Sequence, residues 1–202
     1  MKVIAADAAQ IELAWSIARQ HLGGERLQHT EGAARAALRL APMFGADPQK
    51  AVVAAVLHDI ARDVAAGDLV RLAQSKGIIV RTADALCPVL LHGRIAAVIA
   101  KESGMLDPSV LDAVARHVTG QSGWTSLDKT VYLADKVEET RDYPGVQGLR
   151  ELVRSVKPRT ALLEALKNAI RYSMDNVPFF VDPETVVVFN EVSQSLAQAP
   201  ER

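Results

Sequence analysis

One cysteine, Cys87, stands in a chain of 202 residues, so no intramolecular disulfide can form, which suits a reducing compartment. Aromatic residues are scarce, at 4%, while the hydrophobic fraction reaches 49%, carried largely by alanine, valine and leucine. That balance excludes a disordered tail and favours closely packed helices. Neither sign of charge is in excess: 23 basic residues meet 24 acidic ones, for a net charge of -1. No global field draws the chain to nucleic acid or to an anionic membrane, and only a local basic site remains open. No window approaches the roughly 18 uninterrupted apolar residues that span a bilayer. The N-terminal stretch is interrupted by Asp7 and Glu12 and lacks the apolar segment of a signal peptide. The expectation is a soluble, cytoplasmic protein with no membrane and no nucleic-acid partner. Neither a G-x-x-x-x-G-K-[ST] nor a G-x-G-x-x-G motif occurs, which excludes a P-loop or a dinucleotide fold.

The punctuation that is present is helical. Asp47-Pro48, Asp107-Pro108 and Asp182-Pro183 each put a capping carboxylate before a proline suited to the first helical position. Thr125 and Asp128 fit a capping box. Gly23-Gly24, Gly45, Gly77, Gly104 and Gly120 fall where helices should end. The spacing predicts helices near 7–21, 26–43, 48–62, 66–76, 88–103, 108–118, 126–140, 145–155, 158–174 and 183–197. Two β-like runs, Ile78–Val80 and Val186–Val188, read as a strand fragment and as helix respectively. With no repeat and no linker, the fold class is all-α, a single helical bundle.

Chemistry concentrates in few residues. Of five histidines, His21 precedes Gly-Gly at a helix end, where it caps carbonyls, and is set aside. His29, His58, His92 and His117, with Asp59 and Asp135, each follow or interrupt an apolar helical run. A single histidine on such a face is most often a hydrogen-bonded core residue. Four of them with two carboxylates, all needing partners inside one small domain, point instead to a divalent metal held between helices. Six ligating side chains exceed one ordinary site, which argues for two metals with Asp59 as the shared carboxylate. Arg62 and Asp63 lie one turn beyond His58-Asp59. Arg62 reads as a phosphate contact, and Asp63 as a partner of the ligands or a proton acceptor. Lys136, Arg141 and Arg150 surround the turn Tyr143-Pro144-Gly145 and suit a polyphosphate. Thr119 sits in "HVTGQSGW", where small residues let backbone approach a ligand. Cys87 is expected to be a small buried hydrophobe rather than a ligand.

Taken in order, these segments resemble a known family. "HT" at 29–30, "VLHDIARD" at 56–63, "LLHG" at 90–93, "AVARHVTG" at 113–120, "YLADKVEETRDYPGV" at 132–146, "LR" at 149–150 and "DPETVVVFN" at 182–190 resemble the HD-domain metal phosphohydrolases, and more closely the YqeK family of symmetrical diadenosine tetraphosphate hydrolases. The resemblance implies an HD-type domain over 25–192, an N-terminal helix at 1–24 belonging to it, and a C-terminal tail at 193–202. It implies two divalent ions, expected to be iron, with manganese, cobalt or magnesium as substitutes. His29, His58, Asp59 and Asp135 would hold one ion; Asp59, His92 and His117 would hold the other. Arg62 stands where the family has a lysine. The implied activity is metal-assisted cleavage of a dinucleoside polyphosphate into two ADP, with Asp59, Arg62 and Asp63 as catalytic residues and Arg62, Lys136, Arg141, Arg150 and Thr119 as substrate contacts. Two alternatives stay open: an HD phosphohydrolase acting on a nucleoside monophosphate or cyclic dinucleotide, and a nucleotide-binding regulatory protein without turnover. A homodimer is also open, since no heptad assigns an interface.

Overall fold

The computed structural model describes residues 2–176 and 180–201, with side chains from residue 8 onward. Met1 and Arg202, the outer ends of the expected N-terminal helix and tail, lie outside the described residues. Eleven α-helices follow one another among those residues: α1 (Lys2–His21), α2 (Gly24–Phe44), α3 (Pro48–Leu57), α4 (Ala66–Ser75), α5 (Thr82–Leu86), α6 (His92–Glu102), α7 (Pro108–Arg116), α8 (Ser126–Val137), α9 (Val146–Arg154), α10 (Pro158–Asn176) and α11 (Pro183–Gln198). A short 3-10 turn, Pro88–Leu91, leads into α6. No strand forms among the described residues, so the chain is all-α, and Ile78–Val80 is irregular rather than a strand fragment. None of these helices is long and apolar enough to cross a membrane.

The starts of the helices follow from their caps. The Asp47 carboxylate accepts from the N–H groups of Gln49 and Lys50, Asp107 from Ser109 and Val110, and Asp182 from Glu184. Thr125 and Asp128 exchange side-chain to backbone bonds as a capping box. At the other end of α2, Gly45 takes φ 71°, a left-handed conformation in which its N–H closes the last turn onto Ala41 and Pro42.

Helices α2, α3, α7 and α8 form the centre; α1 covers α3, α6 packs on α7, and α9 and α10 close the side of α8. Small residues let the central helices approach: Ala33, Ala36 and Ala37 of α2 and Ala51, Ala54 and Ala55 of α3 are all buried. Leu40, Leu57 and Leu133 of these helices and Leu162 of α10 are fully buried in the same core, each contributing about 1.5–3 kcal/mol by burial.

Helix α1 starts at Lys2 rather than near residue 7, and Pro88–Leu91 is a 3-10 turn rather than the start of α6; four further differences stand out. Helix α3 stops at Leu57 rather than at residue 62, because the His58 ring donates to the Ala55 carbonyl (2.6 Å), the acceptor that a continuing helix would offer to the Asp59 N–H. Residues 58–63 proceed in tight turns, with Ile60 N–H on Leu57 and Arg62 N–H on Asp59. His58 and Asp59 therefore sit just past a helix end, and Arg62 and Asp63 do not stack over them as the next turn of a helix. Helix α8 stops at Val137, since Glu138 turns extended at ψ 157°. Thr82–Leu86 forms a helix that the apolar spacing did not announce. Finally, α11 runs on to Gln198, and Glu201 accepts from Arg159 and Thr160 at the start of α10, so much of the expected tail is packed structure.

Candidate metal centre

Three histidines are placed by one device. His58, His92 and His117 each occupy the position that ends a helical segment: α3, the 3-10 turn and α7. In each, ring Nδ1 donates to the carbonyl three residues back: Ala55 (2.6 Å), Val89 (2.5 Å) and Val114 (2.8 Å). At His58 and His117 the imidazole takes a carbonyl left over at the helix end, and at His92 it shares the Val89 carbonyl with its own backbone N–H; each ring is oriented by that bond. His29, within α2, uses a carboxylate instead: its Nδ1 donates to Glu138 Oε1 (3.0 Å). All four rings carry their proton on Nδ1 and aim an Nε2 lone pair into a common space.

In that space the lone pairs meet. His29 Nε2 lies 3.1 Å from His58 Nε2, and His92 Nε2 lies 3.0 Å from His117 Nε2. With Nδ1 protonated on every ring, neither pair forms an N–H···N bond unless one imidazole takes a second proton, and a cation between the two lone pairs would satisfy both rings. The carboxylates complete the pattern. Asp59 Oδ1 faces His92 (3.2 Å) and His117 (3.7 Å), while its Oδ2 faces His29 and His58 (both 3.7 Å). Asp135 Oδ1 faces His29 (3.1 Å) and His58 (3.6 Å). Two groups thus have ligand atoms close enough to share an ion, His29–His58–Asp59 and Asp59–His92–His117, all buried. Imidazole nitrogens would sit about 2.1 Å from a divalent ion, so pairs 3.0–3.1 Å apart could each share one. The donor set fits divalent metals.

The electrostatics follow. Burial opposes ionisation of Asp59, but His58, His117 and His92 hold its pKa well below the usual carboxylate value. Burial likewise opposes Asp135, and Lys136, Arg141, His29 and His58 keep it well below. At His58 burial works against the charged form, yet Asp59 and Asp135 prevail and raise its pKa above 6.5. At His117 burial, joined by His58 and His92, wins over Asp59 and pushes the pKa down to about 4.

The cluster floors a cleft of about 830 Å³ whose lining includes Asp59, Arg62, His92, His117, Asp135 and Lys136. Lys136 Nζ lies 2.6 Å from Asp135 Oδ2, and the Arg141 guanidinium pairs with Asp135 Oδ1. The Arg62 side chain also lines the cleft, and its guanidinium makes no hydrogen bond or ion pair with the described residues. A second opening, of about 580 Å³, reaches the cluster from the His29 side and is rimmed by Glu25, Asp63, Glu138 and Asp142.

Other expected residues are elsewhere. Asp63 lies on that second rim and accepts from Arg26 (3.3 Å). Arg150 spends its guanidinium on the carbonyls of Val137, Glu138 and Arg141, fastening the loop that follows α8. The Thr119 hydroxyl donates to the Gly120 carbonyl, and its own carbonyl accepts from Thr185. Cys87 is half-buried and lines the cleft rather than the core, with its thiol pKa raised by burial.

Two residues escaped the sequence reading. Arg26 reaches Asp59 Oδ2 (3.3 Å); it lies three residues before His29 on the same helical face, a signal that was available. Glu138 is fully buried behind His29 and also accepts from the Thr140 hydroxyl (2.6 Å). Its neighbour across the interface is Gly32, where any Cβ would collide with the Glu138 carboxylate.

Comparison with known proteins shows the family and the fold. Residues 26–140 match the HD domain model. The chain is 33% identical to the symmetrical bis(5'-nucleosyl)-tetraphosphatase of Bacillus subtilis, covering 89% of this chain and 95% of that protein. It is also 33% identical to the protein of the same name from Halalkalibacterium halodurans, with coverage of 89% and 95%. Among solved structures, a predicted HD superfamily hydrolase involved in NAD metabolism from Clostridium acetobutylicum superposes with a TM-score of 0.82 at 28% identity, covering 90% of this chain and 96% of that one.

Proposed function

Because the chain belongs to the HD-domain family and, within it, to the symmetrical bis(5'-nucleosyl)-tetraphosphatases, we propose that it is a metal-dependent hydrolase cleaving diadenosine tetraphosphate at its central anhydride into two ADP. The observation that carries this reading is the meeting of four Nε2 lone pairs and two carboxylates at the floor of a cation-lined cleft. His29, His58, Asp59 and Asp135 would hold one divalent ion, and Asp59, His92 and His117 the other. Iron is the proposed metal, with manganese, cobalt or magnesium as substitutes; imidazole and carboxylate donors suit all but magnesium well. When bound, the two ions supply Lewis acidity and a water acidified to near-neutral pKa.

The chain's own residues bind and orient the substrate. Arg62, uncommitted and on the cleft wall, would meet the phosphate oxygens of the leaving ADP as negative charge grows there. A guanidinium offers a planar fork rather than a point charge, so it can hold two oxygens at once. Lys136, Arg141 and Arg26, held over Asp135 and Asp59 by ion pairs, would orient the remaining phosphates. Asp63 would act through Arg26 as a positioning residue. Arg150 would act through the loop it fastens, and Thr119 through its contact with α11.

The test is product analysis. The anaerobically purified, iron-loaded protein is incubated with diadenosine tetraphosphate beside Asp59→Ala. ADP as sole product from the wild type and none from the variant supports the reading. ATP plus AMP would keep the metal chemistry and overturn symmetric cleavage. No turnover by protein carrying two ions would favour a nucleotide-binding role without catalysis.

A further inference from the structure

The ligand cluster opens to solvent on two sides, and the openings divide its histidines. His92 and His117 line the larger cleft, together with Asp59 and Asp135. His29 lines the second opening, together with Glu138. Arg26, Arg141 and Tyr143 line both and form the wall they share. Each half of the cluster therefore has a door of its own.

The two doors carry opposite charge. The shared cations are already committed: Arg26 pairs with Asp59 and Asp63, and Arg141 with Asp135. In the larger cleft Lys136 is likewise paired with Asp135, which leaves Arg62 and Arg171 against Asp175. The second opening adds Glu25, Asp63, Glu138 and Asp142 and, among the described residues, no further cation. Glu25, Asp63 and Asp142 are exposed, and Glu138 is buried against the His29 ring, so carboxylates run from the surface inward to a candidate ligand. The Glu25 and Asp142 side chains make no hydrogen bond or ion pair with the described residues. Their charge sets the field at this door.

A phosphate chain and a hydrated divalent cation ask for opposite fields. A cleft lined by one sign of charge concentrates ions of the other and speeds their arrival. The cationic cleft suits the phosphates and opposes the metal, whereas the acidic opening does the reverse and ends on His29.

We infer that the acidic opening is the loading route for the ion of the His29 half, with Glu25 and Asp142 as its steering carboxylates, and that the larger cleft serves the His92 half. The inference rests on the two-ion reading above.

The test is the rate of metal uptake. Metal-free protein is mixed with cobalt(II) in a stopped-flow instrument, and binding is followed by cobalt absorption. Wild type should fill in two phases. His92→Ala lacks a ligand of one half only, so the phase it keeps belongs to the His29 half. Glu25→Gln combined with Asp142→Asn should slow that phase about 10-fold at low salt, and far less once salt screens the rim. The other phase should stay within twofold, and the final cobalt content should match wild type, because rim charges act on association more than on the bound state. Arg171→Gln should speed the other phase alone. A double variant that leaves the His29 phase within twofold of wild type, or slows both phases alike, would overturn the route and leave the two-ion reading standing. A wild type that takes up a single cobalt, at a rate that depends on Glu25 and Asp142, would keep the route and overturn the second ion. No uptake by any form would overturn both.

Discussion

The two halves of the ligand cluster are built from similar side chains but supported differently. His29 and His58 share their space with two carboxylates, Asp59 Oδ2 and Asp135 Oδ1, and a third acid, Glu138, backs the His29 ring. His92 and His117 share theirs with Asp59 Oδ1 alone, and neutral carbonyls back both rings. A divalent ion in the first half would be met by more negative charge, and the Glu138 carboxylate fixes the orientation of the His29 ring. Such an asymmetry should make the first half the tighter site for an ion and the second the more exchangeable one, although both lean on one aspartate.

The severest test removes what the halves share. Asp59→Asn should empty both halves and lower turnover on the order of 10³-fold, with the metal content read by elemental analysis; an ion retained at full occupancy would break the bridging role. Next come the separating variants. Asp135→Asn should weaken the tighter ion, whereas His92→Ala should leave that ion bound and lose the other. Equal losses from both would erase the distinction. A milder change is Glu138→Gln, which keeps the shape and removes the charge behind His29. It should cost about 10–100-fold in affinity at the first half alone, measured by chelator competition. Smallest is the difference in proton uptake by the metal-free protein. His58, with its pKa raised, should protonate above pH 6.5, while His117 should stay neutral until about pH 4. The signs are opposite. His58 stabilises the metal-free fold below its ordinary pKa, and this is lost as pH rises through the raised value. His117 costs stability as pH falls from 6.5 towards about 4, where the unfolded chain binds the proton and the folded one does not. Imidazole-resolved NMR across that range checks both, and a His117 resonance that titrates with His58 would contradict the difference in environment.

The class of fold and most helix starts were legible because caps and apolar spacing are local. Asp47, Asp107, Asp182 and the Thr125–Asp128 box announce themselves within four residues. The six candidate ligands were legible for a different reason: an imidazole or carboxylate ending an apolar run has no bland explanation when six of them recur. What stayed hidden depends on distant neighbours. Glu138 looks like one more charge in an acidic and basic run, and becomes a partner of His29 only because α2 passes close enough at Gly32 to admit it. Arg150 has the right charge for a phosphate, but three carbonyls on the preceding loop claim it first. The end of α3 was read too late because the competition between the His58 side chain and the helix for the Ala55 carbonyl is invisible in hydrophobic periodicity.

That same competition ties local opening to ligand loss. Where α3 and α7 end, the imidazole that would hold an ion is also the group that closes the final turn onto Ala55 or Val114. Fraying of either end frees the ring to rotate, and an ion held by that ring resists the fraying. Amide protons just beyond these ends, at Ile60, Arg62 and Gly120, bonded to Leu57, Asp59 and Arg116, would then exchange with solvent deuterium at rates set by loading. Exchange at these three amides becomes a gauge of occupancy, read from the backbone and without sight of the metal itself.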